Sequence, residues 1–104
     1  MPEPVIICLH QPALELAEKV ASLCDGEVHG LQSRVNTIPE TFEKTKEHLR
    51  DLFQKGHPLV GICSSGILIR SLADVLSDKH TEPPVLAVAE DGSCVIPLLG
   101  GHHG

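Results

Sequence analysis

Short, wholly apolar runs alternate along this chain with longer stretches in which apolar residues recur every three or four positions. Val5-Ile6-Ile7-Cys8-Leu9 is unbroken and of strand length. Such a run suits a strand covered on both faces. Pro12 then fits the first turn of a helix. Ala13, Ala17, Val20, Ala21 and Cys24 share one face at helical spacing, and Glu15 and Lys19 form an i,i+4 pair outside. Asp25-Gly26 ends that helix. Glu27-Val28-His29-Gly30-Leu31 is a short second strand, and residues 32–38 form a loop. An amphipathic helix follows from Pro39 to Gln54. Phe42, Leu49, Leu52 and Phe53 lie on its stripe, Lys46 faces roughly the same way, and Glu40 and Lys44 pair on the outer face. Gly56 closes it.

Leu59-Val60-Gly61-Ile62-Cys63 is the third strand. Ser64-Ser65-Gly66 makes the turn, with Ser64 or Ser65 able to cap the next helix. That helix spans Ile67 to Ser77, with Leu68, Leu72, Val75 and Leu76 inward and Arg70, Asp74 and Ser77 outward. Residues 78–84 are a polar loop. Val85-Leu86-Ala87-Val88 is the fourth strand, Glu90-Asp91-Gly92-Ser93 has tight-turn chemistry, and Cys94 to Leu98 is the fifth. The connection is too short for a parallel crossover, so these two strands pair antiparallel. Pro97 cannot donate to a ladder and belongs at an edge. The order β-α-β-α-β-α-β-β predicts one α/β domain over residues 1–104. It has three layers and a mostly parallel, Rossmann-like sheet with an antiparallel C-terminal hairpin. The chain stops where a final helix is expected to begin, which reads as a truncation.

Composition narrows the function. Hydrophobic residues make up 41% of the chain and aromatic residues only 2%, so the core is built from Val, Ile, Leu and Ala. A formal charge of −6 argues against a nucleic-acid or anionic-membrane surface, which needs a basic face. Scarce aromatics remove base-stacking platforms. No run reaches the ~20 apolar residues that span a bilayer. Met1-Pro2-Glu3-Pro4 lacks the basic region of a signal peptide, so the cytoplasm is the expected location. Cys8, Cys24, Cys63 and Cys94 form no Cys-x-x-Cys pair. Buried thiols, three of the four in apolar surroundings, are expected rather than a metal or redox site. The other reading is a reactive thiol at Cys63.

Gly61-Ile62-Cys63-Ser64-Ser65-Gly66 joins a strand to a helix with the glycine separation of a phosphate loop. Ile67 and Leu68 stand where Lys and Ser/Thr are required, so a nucleoside triphosphate does not fit. Nor is it the nucleophile elbow Gly-x-Ser-x-Gly. Free N–H groups and serine hydroxyls remain, suited to a carboxylate or phosphate or simply to capping. Glu90-Asp91-Gly92 reads as a turn, Arg70 as a solvated charge, and His29, His48, His57 and His80 as surface or loop residues. His10 follows the first strand, where ligands gather in open α/β sheets, or merely flanks a helix. At the C-terminus, Val95 to Leu99 is a buried-type run that passes into Gly100-Gly101-His102-His103-Gly104. These glycines permit close backbone approach, and a histidine there supplies a proton near neutral pH, unless the segment is simply a frayed end.

The ordered set Leu59 to Ile67, Arg70, Asp78-Lys79, Pro83 to Val88, Asp91-Gly92 and Val95 to His102 resembles the N-terminal domain of cobalamin biosynthesis protein G, the cobalt-precorrin-5A hydrolase family. The likeness is good over residues 57–104, while the first 56 agree in fold pattern only. It implies a part in corrin-ring biosynthesis: opening of the cobalt-precorrin-5A δ-lactone with release of acetaldehyde, completed by a C-terminal part lying beyond this chain. The implied ligand is a corrinoid. The implied cofactor set is empty, because cobalt is carried by the substrate, and S-adenosylmethionine enters only if the domain is fused to a precorrin-3B C(17)-methyltransferase. Other enzymes of the same pathway are possible partners. On this reading His102 is catalytic, and Ser64, Ser65, Gly66, Gly100 and Gly101 bind substrate. His103 stands where members of the family vary. Two other readings stay open: a non-catalytic corrinoid-binding or assembly module attached to a methyltransferase, and a general phospholigand-binding domain, which would need a basic residue near Ser64, where the sequence offers no obvious one.

Overall fold

A computed structural model describes residues 2–75 and 82–99. Six strands form one sheet: β1 (Val5–Cys8), β2 (Glu27–Leu31), β3 (Thr41–Phe42), β4 (Leu59–Ile62), β5 (Val85–Val88) and β6 (Val95–Leu99). Their order is β3-β2-β1-β4-β5-β6. The first five run parallel, and β6 returns antiparallel to β5. The helices are α1 (Leu14–Cys24), α2 (Thr45–Gln54) and α3 (Ser65–Leu72). A 3₁₀ turn at Gln11–Ala13 leads into α1, and another at Ala73–Val75 continues α3. The expected α/β class, the parallel sheet and the terminal hairpin are all present.

β1 lies at the centre, which explains its unbroken apolar sequence. Val5 and Ile7 point to the face covered by α2 and α3, where they meet Leu49, Leu52, Phe53, Leu68 and Leu72. Ile6 and Cys8 point to the face covered by α1, with Leu14, Ala17 and Ala21. Three layers result, around an aliphatic core. Among the described residues, no helix is long and apolar enough to cross a membrane.

The structure corrects several readings. The helix expected from Pro39 begins only at Thr45. Thr41–Phe42 instead adds a strand beside β2, with Gly30 N–H donating to Glu40 C=O at 3.0 Å and Gln32 N–H to Phe42 C=O at 2.8 Å. A β-branched and an aromatic residue suit that strand, and the open edge of β2 supplies backbone partners that an isolated helical turn lacks. Phe42 still reaches the core, but from the sheet, and Glu40 and Lys44 share no helix. α3 starts at Ser65 rather than Ile67, and its expected end at Leu76 and Ser77 lies outside the described residues. Cys24 and Cys94 are exposed, leaving only Cys8 and Cys63 buried. β6 is an edge strand, as Pro97 requires, yet Val95 and Ile96 are 57% and 44% exposed rather than covered on both faces.

α1 ends on Asp25, whose φ of 58° is left-handed, while Gly26 serves a different purpose. A Cβ on Gly26 would stand 2.7 Å from the carbonyl oxygen of Pro4 and 2.8 Å from Ile6 Cδ1. The chain entering β2 therefore passes too close to the chain entering β1 for any side chain, and this sets the β1–β2 register that aligns Val5 with Glu27.

Candidate functional site

β1, β4 and β5 are neighbours and parallel, so Leu9-His10, Cys63-Ser64 and Ala89-Glu90 come together along one edge of the sheet. This is the carboxyl edge, where open α/β sheets hold their ligands. His10 Nε2 lies 2.9 Å from Glu90 Oε2, bridging the ends of β1 and β5 across β4. Ser64 is the N-cap of α3, with extended φ −68° and ψ 146°, but its hydroxyl makes no capping bond. Its carbonyl accepts from Ile67 N–H at 3.2 Å. The first-turn N–H groups of an α-helix have no partner within the helix. Those of Ser65 and Gly66 therefore point out of the turn, beside two serine hydroxyls, without the serine cap that would have occupied them.

Beside this turn is a cleft of about 340 Å³, lined by Leu9, Thr45, Lys46, Ile67, Arg70 and Ser71. Arg70 folds back over the turn: its Nη1 is 3.3 Å from where a Cβ on Gly66 would stand. Lys46 enters from α2, held at 3.6 Å from Asp74. Among the described residues, no carboxylate forms an ion pair with Arg70. Two cations thus line one cleft in a chain of net charge −6, with Arg70 over the N-terminus of α3 and Lys46 further along, beside Asp74 at its far end. Arg70 is exposed, as expected, but it is not idle at the surface, and the basic residue that seemed missing near Ser64 is present. Gly66 and Arg70 are four apart on one helical face, a spacing that could have signalled the contact. Nothing local could have signalled Lys46, which depends on α2 packing beside α3.

The thiol of Cys63 sits at the same edge and is pushed up to about 11 by burial and, secondarily, by the Glu90 carboxylate. Burial also raises Cys8, whose Sγ–H donates to the His10 carbonyl at 3.1 Å. Both stay protonated and poorly nucleophilic near neutral pH, which argues against a reactive thiol at Cys63. In the native protein at pH 8, a maleimide is expected to label Cys24 and Cys94 rapidly and to reach Cys8 and Cys63 only after unfolding. Fast labelling of Cys63, located by peptide mass, would restore the nucleophile reading.

Gly100, Gly101 and His102 lie outside the described residues, so the geometry concerns only the Ser64-Ser65-Gly66 half of the expected site. His80 is also outside them. His57 is a loop residue, as expected, with Nδ1 at 2.9 Å from the Glu3 carbonyl. His29 and His48 are not plain surface residues. His29, on β2, is only 9% exposed. Its Nδ1 is 2.8 Å from His48 Nε2, and its Nε2 is 2.8 Å from Glu27 Oε1. The His48 ring stacks on Phe42 with centroids 4.5 Å apart, and burial followed by the neighbouring His29 lowers its pKa. Glu27 and His29 are alternate residues of a strand and therefore share a face, the one signal in the sequence for this cluster.

Against known proteins, residues 47–104 match the model of the family described as Cobalamin synthesis G N-terminal. Two curated proteins named cobalt-precorrin-5A hydrolase are similar. The one from Priestia megaterium is 39% identical over 56 residues, covering 54% of this chain and 15% of its own length. The one from Salmonella typhimurium is 40% identical over 55 residues, covering 53% and 16%. This chain thus spans less than a fifth of the length of either relative. A crystal structure of a cobalamin biosynthesis protein G homologue from Sulfolobus solfataricus shares the fold, with a TM-score of 0.67 and 16% identity over 95% of this chain and 29% of that one. The family match begins at residue 47, ten residues before the stretch whose motifs carry the resemblance, and takes in the Ser64 turn and Arg70, so that the chain belongs to the Cobalamin synthesis G N-terminal family.

Proposed function

We propose that this domain acts in corrin-ring biosynthesis, holding cobalt-precorrin-5A while its δ-lactone is opened and acetaldehyde released. The observation that carries this reading is the cleft beside the start of α3, with Arg70 folded over the Ser64 turn; half of its lining, Ile67, Arg70 and Ser71, falls within the family match of residues 47–104. A corrinoid precursor bears many carboxylates. Free N–H groups at Ser65 and Gly66, the hydroxyls of Ser64 and Ser65, and the charges of Arg70 and Lys46 are the donors such groups require. A net charge of −6 repels a polyanion at long range, so recognition is local to this cleft.

In the hydrolytic step, water adds to the lactone carbonyl. His102 would take its proton as general base and return one as the fragment leaves. The N–H groups of Gly100 and Gly101 would face the oxyanion. No cofactor is assigned to the domain: cobalt arrives with the substrate, and S-adenosylmethionine would belong to a fused methyltransferase. The competing reading is a corrinoid-binding module without catalysis, which keeps the Ser64 turn and the cleft but has no use for His102.

One experiment separates them. The full-length product of the gene is incubated with cobalt-precorrin-5A, and acetaldehyde is measured for the native sequence, His102→Ala and Ser65→Ala. Catalysis by this domain predicts acetaldehyde from the native protein and a loss of about 100-fold or more in His102→Ala. Ser65→Ala should raise the substrate concentration needed while leaving stability nearly unchanged, because Ser65 is the first residue of α3 and not its N-cap. Corrinoid binding with no acetaldehyde, or with yields unaffected by His102→Ala, leaves the binding module.

A further inference from the structure

Near the β3 end of the sheet, on the face that α2 covers, Glu27 and His29 of β2 converge with Glu40, which immediately precedes β3. One ligand atom from each lies within 4.8 Å of the others. We propose that Glu27, His29 and Glu40 bind a single divalent transition-metal ion of the zinc class, with His48 positioning His29. Ligands about 2.0–2.2 Å from one ion stand roughly 3.3–4 Å apart, so only a small rearrangement is needed, in which Glu27 draws back from its 2.8 Å contact with His29 Nε2 to admit the ion. Both carboxylates are exposed and free to make it, while His29 is fixed in the strand. Among the described residues, no Lys or Arg lies within ion-pairing distance of either carboxylate. Two adjacent negative charges are thus left with only an imidazole between them.

The hydrogen bonds of His29 allow two arrangements. In one, His48 Nε2–H donates to His29 Nδ1, and His29 Nε2–H donates to Glu27. In the other, both rings change tautomer, and His29 Nδ1–H donates to His48 Nε2. The His29 Nε2 lone pair then faces the Glu27 carboxylate at 2.8 Å, which is repulsive unless a cation stands between them. A metal ion there makes the second arrangement the stable one. Both rings stay neutral in either state, so the exchange consumes and releases no net proton. An imidazole ligand whose far nitrogen is held by another side chain is the usual support of a zinc-type site. One nitrogen and two carboxylates favour zinc over magnesium, which prefers oxygen alone, and leave a fourth position for water.

The test titrates the metal-free full-length protein with Zn²⁺ by calorimetry. It compares the native sequence with Glu27→Gln/Glu40→Gln, with Glu40→Gln alone and with His48→Phe. The exposed carboxamides preserve shape, which circular dichroism checks, and Phe keeps the stack on Phe42 while removing the nitrogen. The native protein should bind one equivalent that the double variant lacks. His48→Phe should weaken that equivalent about 10–100-fold, with Co²⁺ showing a changed visible spectrum as its reporter. Mg²⁺ should not compete. Absence of that equivalent in the native protein overturns the site. So does equal binding by the double variant, as when the His102-His103 pair takes the metal. Equal affinity in His48→Phe removes the positioning role, and competition by Mg²⁺ removes the zinc class.

Discussion

Gly61→Ala should destabilise the domain by about 1–3 kcal/mol although it adds a single methyl group. Gly61 lies in β4, paired with Ile7 on one side and Ala87 on the other. A Cβ there would stand 2.8 and 2.9 Å from the two methyl groups of Leu68 and 3.1 Å from Cys63 Sγ. Leu68 is fully buried and cannot swing aside. The glycine is what lets α3 settle on the sheet and bring the Ser64 turn to the carboxyl edge. Leu68→Ala alone leaves a cavity and should cost about 2–5 kcal/mol, a large part of the roughly 5–15 kcal/mol total of an ordinary domain. Gly61→Ala/Leu68→Ala should cost less than the sum, because the new methyl occupies space the leucine has vacated. The coupling is expected at about 0.5–3 kcal/mol. Urea unfolding of the four proteins measures it, with Leu68→Val as the smaller deletion if Leu68→Ala does not fold. Additive costs would show that the glycine is not required by Leu68.

The parts of the fold that could be read in advance carry a local physical signal. β1 is covered on both faces, so its five-residue apolar run has no polar interruption. The β5–β6 hairpin follows from a connection too short to cross over, and Pro97 put β6 at an edge. Thr41–Phe42 is two residues long and carries no period, so Pro39, a good helix-start signal, prevailed over a strand that exists only because β2 offers an open edge. Nothing local marks His29 as covered, because His48 reaches it from α2, 19 positions away in sequence. Half of the candidate site was readable for the same kind of reason. A serine-glycine turn after an apolar strand predicts a helix N-terminus. The cationic cleft next to it carries no such signal, since Lys46 and Arg70, 24 positions apart in sequence, come to line it only through the packing of α2 beside α3. The role of His102 rests on the resemblance, and its position lies outside the described residues.

Reversing the charges of the cleft gives the largest expected effect on binding. In the full-length protein, Lys46→Glu/Arg70→Glu should weaken corrinoid binding far more than either single change. A hydrogen bond to a charged group contributes about 1.5–3 kcal/mol, or roughly 10–150-fold per side chain. The reversal also adds repulsion against substrate carboxylates. Stability should change little: the Lys46–Asp74 pair is 52% and 63% exposed on its two sides, and exposed pairs contribute about 0–1 kcal/mol. Lys19→Glu is the matched control. It makes the same kind of charge change on α1, the helix on the opposite face of the sheet, and should leave affinity nearly unchanged. Salt separates local from long-range attraction. Native binding should weaken as salt rises, and the gap between native and reversed proteins should narrow. Equal losses from Lys19→Glu would mean that the net charge of the chain, not the cleft beside α3, governs association. No loss from the double reversal would remove Lys46 and Arg70 from the site and leave the Ser64-Ser65-Gly66 turn as its only described part.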